Sequence, residues 1–276
     1  MYPLFAQRTS QAMPSSALIL ENFGFSAPMH AMNTREFTAE GFTVSTSCTV
    51  HGSYHSIITE NVWQSGAAMK TRCLRVLSDI LGEYIRKAGI CLQSCRTLVC
   101  GLGNGEVTPD ALGQAVCRRI PAMTNALMNG VELYVFCPGV PARTGIPTDT
   151  LVRSVAELLH ADLLITVDAL CARSLTRLAS VIQITDSGVT PGSGGNDTPE
   201  SGEISIRTMP CPVITIGVPT VISSDTMIRD AAGTLNMENP PPSLPVSHTA
   251  IDAIVSGYSE IIAGAVNRTL LAPVLL

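Results

Sequence analysis

Two aspartates stand where a carboxylate can do chemistry. Asp110 falls in Gly101-Leu-Gly-Asn-Gly-Glu-Val-Thr-Pro-Asp110-Ala-Leu-Gly113, a glycine-rich run that follows one apolar segment and opens a helical one. Asp168 closes the apolar run Leu163-Leu-Ile-Thr-Val-Asp168 and is followed by Ala-Leu-Cys-Ala-Arg173-Ser174. If both apolar runs are parallel strands, both acids reach the same carboxyl edge of the sheet, where open α/β sheets place their ligands. One ionised and one protonated carboxylate facing each other can activate water and protonate a leaving group, which is the chemistry of aspartic-type peptide hydrolysis. Asp110, near a helix N-terminus, is expected to ionise more readily, and Asp168, at the end of an apolar strand, to hold its proton more tightly. An acid at a helix start ordinarily does no more than complement the helix dipole. The coincidence of two strand-end acids is what singles this pair out.

Competing chemistries are poorer matches. A dinucleotide fingerprint needs a third glycine at position 106, which is Glu, and the next strand ends Phe136-Cys137-Pro138 without an acid for the ribose. Ser193 in Pro191-Gly-Ser193-Gly-Gly lacks the first glycine of a hydrolase elbow and has no histidine nearby in sequence. His30, His51, His55, His160 and His248 have no metal-ligand spacing, and Cys91, Cys95 and Cys100 match no zinc ribbon or redox pair. No metal or other cofactor is expected.

The elements that must position the two acids follow from periodicity. Thr97–Leu102, Val131–Cys137, Leu163–Asp168, Val181–Thr185 and Val213–Val218 read as strands, alternating with helical stretches as in a parallel sheet covered on its faces. Helices are expected after Thr108, with Thr as N-cap and Pro109 in the first turn, and from about Thr148 to His160. Met69, Cys73, Leu77, Ile80, Leu81 and Tyr84 recur at helical spacing until Gly89, and Ile251, Ile254, Tyr258, Ile261 and Ile262 form a last helix. Residues 41–63 read as a β-hairpin turning at His51-Gly52-Ser53, residues 1–40 as an unpatterned extension, and residues 187–203 as a long functional loop bordering the two acids.

With 276 residues, 46% hydrophobic and 14% charged, the chain has material for a sizeable core. A net charge of −5 gives no positive field to attract nucleic acid or an anionic membrane. The apolar stretch from Thr208 to Ser224 is broken by Pro210, Pro212 and Pro219, so no membrane anchor is expected. The N-terminus lacks the basic-then-apolar order of a secretory signal, and an odd number of cysteines, nine, several inside apolar segments, suits a reducing cytoplasm.

Five blocks in order resemble the spore germination protease family. They are Gly101-Leu-Gly-Asn-x-x-Val-Thr-Pro-Asp-Ala-Leu-Gly113, Cys137-Pro-Gly-Val-x-x-x-Thr-Gly145, Val167-Asp-Ala-Leu-x-Ala-Arg-Ser174, Ile182-Gln-Ile-x-Asp-x-Gly188 through Pro191-Gly-Ser-Gly194, and Ile214-x-Ile-Gly-Val-Pro-Thr-Val221. The resemblance covers about residues 97–230 and places the family's two proposed catalytic aspartates on Asp110 and Asp168. It implies an endopeptidase that starts the degradation of small acid-soluble spore proteins. It also implies an α/β fold with a mostly parallel sheet similar to that of hydrogenase-maturation peptidases, a homo-oligomer, specifically a tetramer, and a cytoplasmic location in the forespore or spore core. Gly103, Asn104, Thr108, Arg173, Ser174, Asp186, Gly192 and Ser193, within or beside these blocks, are the residues expected to bind substrate. Family members lose an N-terminal segment, and Arg35-Glu36-Phe37-Thr38 suits such a cut between Glu36 and Phe37, dividing an extension, 1–36, from a single peptidase domain, 37–276. Mild acidification is expected to favour the active arrangement by relieving repulsion among Asp110, Asp168 and Glu106. Gly105 and Glu106 replace the family's usual bulky or amide residues, and Thr190 stands where a histidine is frequent. Two alternatives are a nickel-dependent maturation peptidase and a catalytically silent assembly or ligand-binding protein on the same scaffold.

Overall fold

The computed structural model describes residues 33–123, 131–192, 202–232 and 243–271. In chain order its elements are β1 (Asn33–Ala39), β2 (Phe42–Thr49), β3 (Gly52–Ile58), α1 (Ala67–Lys87), β4 (Arg96–Gly101) and α2 (Leu112–Cys117). There follow β5 (Glu132–Phe136), α3 (Pro141–Thr144), α4 (Thr148–Leu158), β6 (Leu163–Ala172), β7 (Val181–Thr185), β8 (Val213–Ser223), α5 (Ser224–Ala232), β9 (Pro245–Ser247) and α6 (Ile251–Leu271). The strands form one sheet in the order β1-β2-β3-β7-β8-β6-β4-β5, with β9 paired to the end of β8.

The sheet is parallel where the apolar runs predicted it, across β8, β6, β4 and β5. Such strands are buried on both faces, which is why Leu163–Val167 reads as unbroken apolar sequence rather than alternating. Helices α1, α2 and α6 supply the core on one face, and α4 with the segment around Val189, Ile204, Met209 and Cys211 covers the other. The expected α/β architecture with a parallel centre flanked by helices is therefore present.

Helix α1 lays Cys73, Val76, Leu77, Ile80, Leu81 and Tyr84 into the core, and Gly89 ends it in a left-handed conformation with Ile90 N–H donating to Ile85 O. The Lys70–Glu260 ion pair also links α1 to α6, but Glu260 is half exposed, so the pair contributes under about 1 kcal/mol. Each fully buried leucine or isoleucine contributes roughly 2 kcal/mol, so packing rather than charge holds the two helices together.

Five elements differ from the sequence reading. Asn33–Ala39, placed in the unpatterned extension, is the edge strand β1, paired antiparallel with β2. The hairpin is thus part of a three-stranded antiparallel meander. Strand β7 runs antiparallel to β8 and β3, because the chain passes from β6 to β7 through only the 3-10 turn Leu175–Arg177 and not through a crossover helix. Strands β6 and β8 continue past Asp168 and Val218 to Ala172 and Ser223. Thr108 does not cap a long helix: Thr108–Asp110 is a single 3-10 turn, and α2 starts only at Leu112.

Candidate active site

Asp168 is the sixth of ten residues in β6, not the last. Its neighbour β4 stops at Gly101, opposite Val167, while β8 carries on beside it. The sheet edge therefore has a step, and Asp168 stands just beyond it, on the same side of β6 as Leu164, Thr166 and Leu170. The turn after β4 fills that step and brings in Asp110.

Close backbone approach makes this possible. Leu102 N–H donates to Val167 O at 2.9 Å, stitching the turn to β6. A Cβ on Gly113 would lie 2.5 Å from Leu102 N, Leu102 O and Val167 O, so only glycine lets α2 start this close to both strands. Gly113→Ala is expected to cost about 3 kcal/mol or more, because the atoms in the way are backbone and cannot rotate aside. A urea midpoint equal to that of the unsubstituted chain would show that this approach is not needed. Thr220 Oγ1 donates to Pro109 O at 2.6 Å, so β8 holds the Asp110 turn from the other side.

The Asp110 carboxylate is cradled by its own loop. Asn104 N–H donates to Asp110 Oδ2 at 2.7 Å, and Gly103, at φ +89°, leaves room for the carboxyl that a Cβ would invade. Gln114 Nε2 in turn donates to Gly103 O at 3.2 Å. Burial raises the Asp110 pKa to about 6, against the opposing pull of the Asn104 N–H. Asp168 is 7% exposed, and its Oδ1 accepts from Ala169 N–H at 2.9 Å. Burial raises its pKa to about 8, and the charge of nearby Asp110 adds to the rise. At neutral pH the first acid is mostly ionised and the second mostly protonated, the order expected from the sequence.

The remaining site residues divide. Gly103 and Asn104 adjoin the pair as the cradle of Asp110, and Thr108 opens the same turn. Arg173 is exposed and Ser174 buried, just past the end of β6. They lie five and six residues beyond Asp168, roughly 15–20 Å along the strand. Ser174 Oγ is hydrogen-bonded to Thr176 Oγ1 at 2.7 Å. Asp186 is not brought to the pair. Gln183 is level with Gly217 and so with Asp168, and the antiparallel β7 carries Asp186 three residues the other way. There it accepts from Ser53 N–H at 2.6 Å and pairs with Lys87 Nζ at 2.9 Å. Gly192 is exposed, and Ser193 lies outside the described residues. The stretch between them and Gly202 is likewise outside, but Gly202 N–H donates to Asp149 Oδ1 at the start of α4, on the face that carries Asp168.

Glu106 does not crowd the two aspartates, because it pairs with Arg143. A cleft of about 320 Å³ opens beside the Asp110 cradle, lined by Asn104, Glu106, Gln114, Arg118, Cys137 and Arg143 among others. Sequence reasoning missed Gln114, Arg118, Arg143 and Thr220, whose roles depend on contacts between segments far apart in the chain. Among the described residues no group of three His, Cys, Asp or Glu side chains is placed to hold a metal ion. The two aspartates alone are a poor donor set for nickel.

The model of the germination protease family matches residues 30–236. Curated germination proteases include one from Oceanobacillus iheyensis, 36% identical over 188 residues, covering 65% of this chain and 50% of its own. A second, from Caldanaerobacter subterraneus subsp. tengcongensis, is 36% identical over 187 residues, covering 65% and 56%. A third, from Bacillus mycoides, is 31% identical over 248 residues, covering 82% and 66%. The chain thus spans about half the length of the first two relatives. A NiFe hydrogenase maturation protease from Thermococcus kodakarensis overlaps 68% of this chain and 99% of its own with a TM-score of 0.38 and 17% identity, too distant a likeness to speak to chemistry. The family model alone spans well over half of the sequence, and both aspartates fall inside it: the chain belongs to the germination protease family.

Proposed function

We propose that this chain is an endopeptidase of the aspartic type, in which ionised Asp110 accepts a proton from the attacking water and protonated Asp168 gives one to the scissile peptide. The observation that carries this reading is the split protonation of two neighbouring acids, pKa about 6 and about 8, created by burial at a step in the sheet edge. As water attacks the carbonyl carbon, its proton passes to Asp110, and the Asp168 proton neutralises the developing oxyanion. Collapse of the tetrahedral species then returns a proton to the departing amine.

The substrates we propose are the small acid-soluble spore proteins of the germinating spore, flexible chains that an open cleft can take without prior unfolding. Gly103, Asn104, Thr108, Arg173, Ser174, Gly192 and Ser193 would line the path of the bound chain. A homotetramer in the forespore or spore core completes the reading. Incubation of the purified protein with a small acid-soluble spore protein, with and without chelator, tests it by mass spectrometry of the fragments. Chelator-insensitive cleavage is expected. Loss of cleavage with chelator would point to a metal-dependent peptidase, and intact substrate in every condition to a silent scaffold.

We also propose processing between Glu36 and Phe37. That bond lies in the edge strand β1, where Glu36 is exposed opposite Ser45 and Phe37 packs against the core opposite Val44. An edge strand has one paired neighbour, so β1 can peel from β2 without opening the rest of the sheet. The competent mixed state of the two acids lies between about pH 6 and 8, higher than the mild acidification anticipated from charge repulsion alone. N-terminal sequencing after incubation at about pH 6.5 should find a new end at Phe37. An unprocessed end alongside full peptidase activity would dispose of the requirement.

A further inference from the structure

Two thiols meet at the cleft and take no part in the chemistry above. Cys117 is the last residue of α2, Cys137 directly follows β5, and both lie against Gly101, the last residue of β4. Cys117 is buried and Cys137 is exposed, lining the cleft with Arg118. The Cys117 thiol donates to Phe136 O at 4.0 Å, the carbonyl that directly precedes Cys137. A Cβ on Gly101 would come within 2.8 Å of Cys117 Sγ, so the thiol occupies space that glycine leaves open.

These contacts make the two sulfurs unequal. The Cys117 thiol alongside lowers the Cys137 pKa to about 7 against the effect of burial, with Gly101 N–H and the Arg118 charge helping. The neighbouring Cys137 sulfur, then burial, pushes Cys117 above the ordinary thiol range. An exposed thiolate backed by a buried thiol, with a cation beside it and an open cleft in front, is the arrangement of an attacking and a resolving cysteine. The exposed Cys48 differs, being placed in β2 with its thiol donating to Ser53 Oγ.

We propose that Cys137 and Cys117 form a thiol–disulfide exchange site that takes low-molecular-weight disulfides from the cleft and closes into a bond between the end of α2 and the end of β5. In the first step the Cys137 thiolate attacks one sulfur of the small disulfide. A mixed disulfide forms on Cys137, and the other half leaves as a thiolate. In the second step the Cys117 sulfur attacks the Cys137 sulfur, and its proton leaves with the second small thiol. Two protein thiols are oxidised and one small disulfide is reduced to two thiols. The product ties together two walls of the cleft next to the loop that cradles Asp110, and its formation is independent of whether the chain cleaves peptides.

The test is incubation of the full chain with oxidised glutathione near pH 7.5, followed by alkylation and peptide mapping by mass spectrometry. A Cys117–Cys137 cross-linked peptide is expected in the unsubstituted chain, glutathione trapped on Cys137 in Cys117→Ser, and neither product in Cys137→Ser. At pH 7 iodoacetamide should alkylate Cys137 roughly tenfold faster than an unperturbed thiol, and Arg118→Gln should slow it severalfold. Glutathione on Cys48 or Cys91 with Cys137 untouched would overturn the proposal, as would a mixed disulfide on Cys137 that never converts in the unsubstituted chain. That chain alone decides the matter if Cys117→Ser fails to fold.

Discussion

Asp110→Asn and Asp168→Asn should each lower peptide cleavage by at least about 10³-fold while leaving the fold in place. Asparagine keeps the shape and can still accept the Asn104 or Ala169 N–H, so the turn and strand that hold each side chain have no reason to move. What it removes differs at the two positions. An amide in place of Asp110 could not take a proton from water, and an amide in place of Asp168 could not give one to the peptide. The loss should appear in kcat, because neither group is assigned to hold the ground-state substrate. Circular dichroism must match the unsubstituted chain for the comparison to count. Two folded variants that still turn over within tenfold of it would remove the paired-acid mechanism.

The second large effect is on stability, and its sign is opposite to intuition for a catalytic residue. Folding raises the Asp168 pKa from 3.8 to about 8. Below about pH 3 the group is protonated in both states, so its folded-state environment costs nothing extra. As pH rises toward 8 the unfolded chain gives up the proton while the folded chain keeps it, and stability is progressively lost. The accumulated loss at pH 7 is of the order of 4 kcal/mol. Asp168→Asn carries no titrating proton and escapes this. It should therefore be more stable than the unsubstituted chain at pH 7 by an amount of that order, and about equal near pH 3. Urea unfolding at the two pH values measures it. A variant that is equally or less stable at pH 7 would mean that the buried carboxyl is not held out of its ordinary range. Stability given up at one position for a proton held ready is the usual form of a conflict between folding and chemistry.

The two aspartates were legible because each follows a strand-like apolar run, Asp168 at its very end and Asp110 after a glycine-rich turn, and both can then reach one edge of a parallel sheet. Helices α1, α4 and α6 were legible for a similar reason, since long 3.6-residue periods such as Cys73, Leu77, Ile80, Leu81 and Tyr84 admit no other reading. Strand β1 was hidden because it lies at the sheet edge, where only Phe37 and Ala39 pack against the core and the rest can be polar. The direction of β7 was hidden because an apolar pattern reports burial and not polarity of the chain. The strand predicted to end at Val218 continues through Pro219, which pairs with Leu170, and Thr220 is then an extra residue that shifts the register before Val221 meets Cys171. The step in the sheet that exposes Asp168 follows from these unequal lengths: β4 stops at Gly101 while β6 and β8 run on. No local pattern encodes that comparison. The cleft was hidden for the same reason, since Gln114, Arg118, Cys137 and Arg143 meet only after α2 and β5 are placed side by side.

The most direct measurement of the paired-acid account is the pH dependence of kcat/KM for cleavage of a small acid-soluble spore protein, taken with chelator present. Activity requires Asp110 without its proton and Asp168 with its proton. The account therefore predicts a bell, rising through about pH 6 and falling through about pH 8, the two limbs belonging to the pair as a unit. A profile that stays flat across this range, or keeps rising above pH 8, would contradict it.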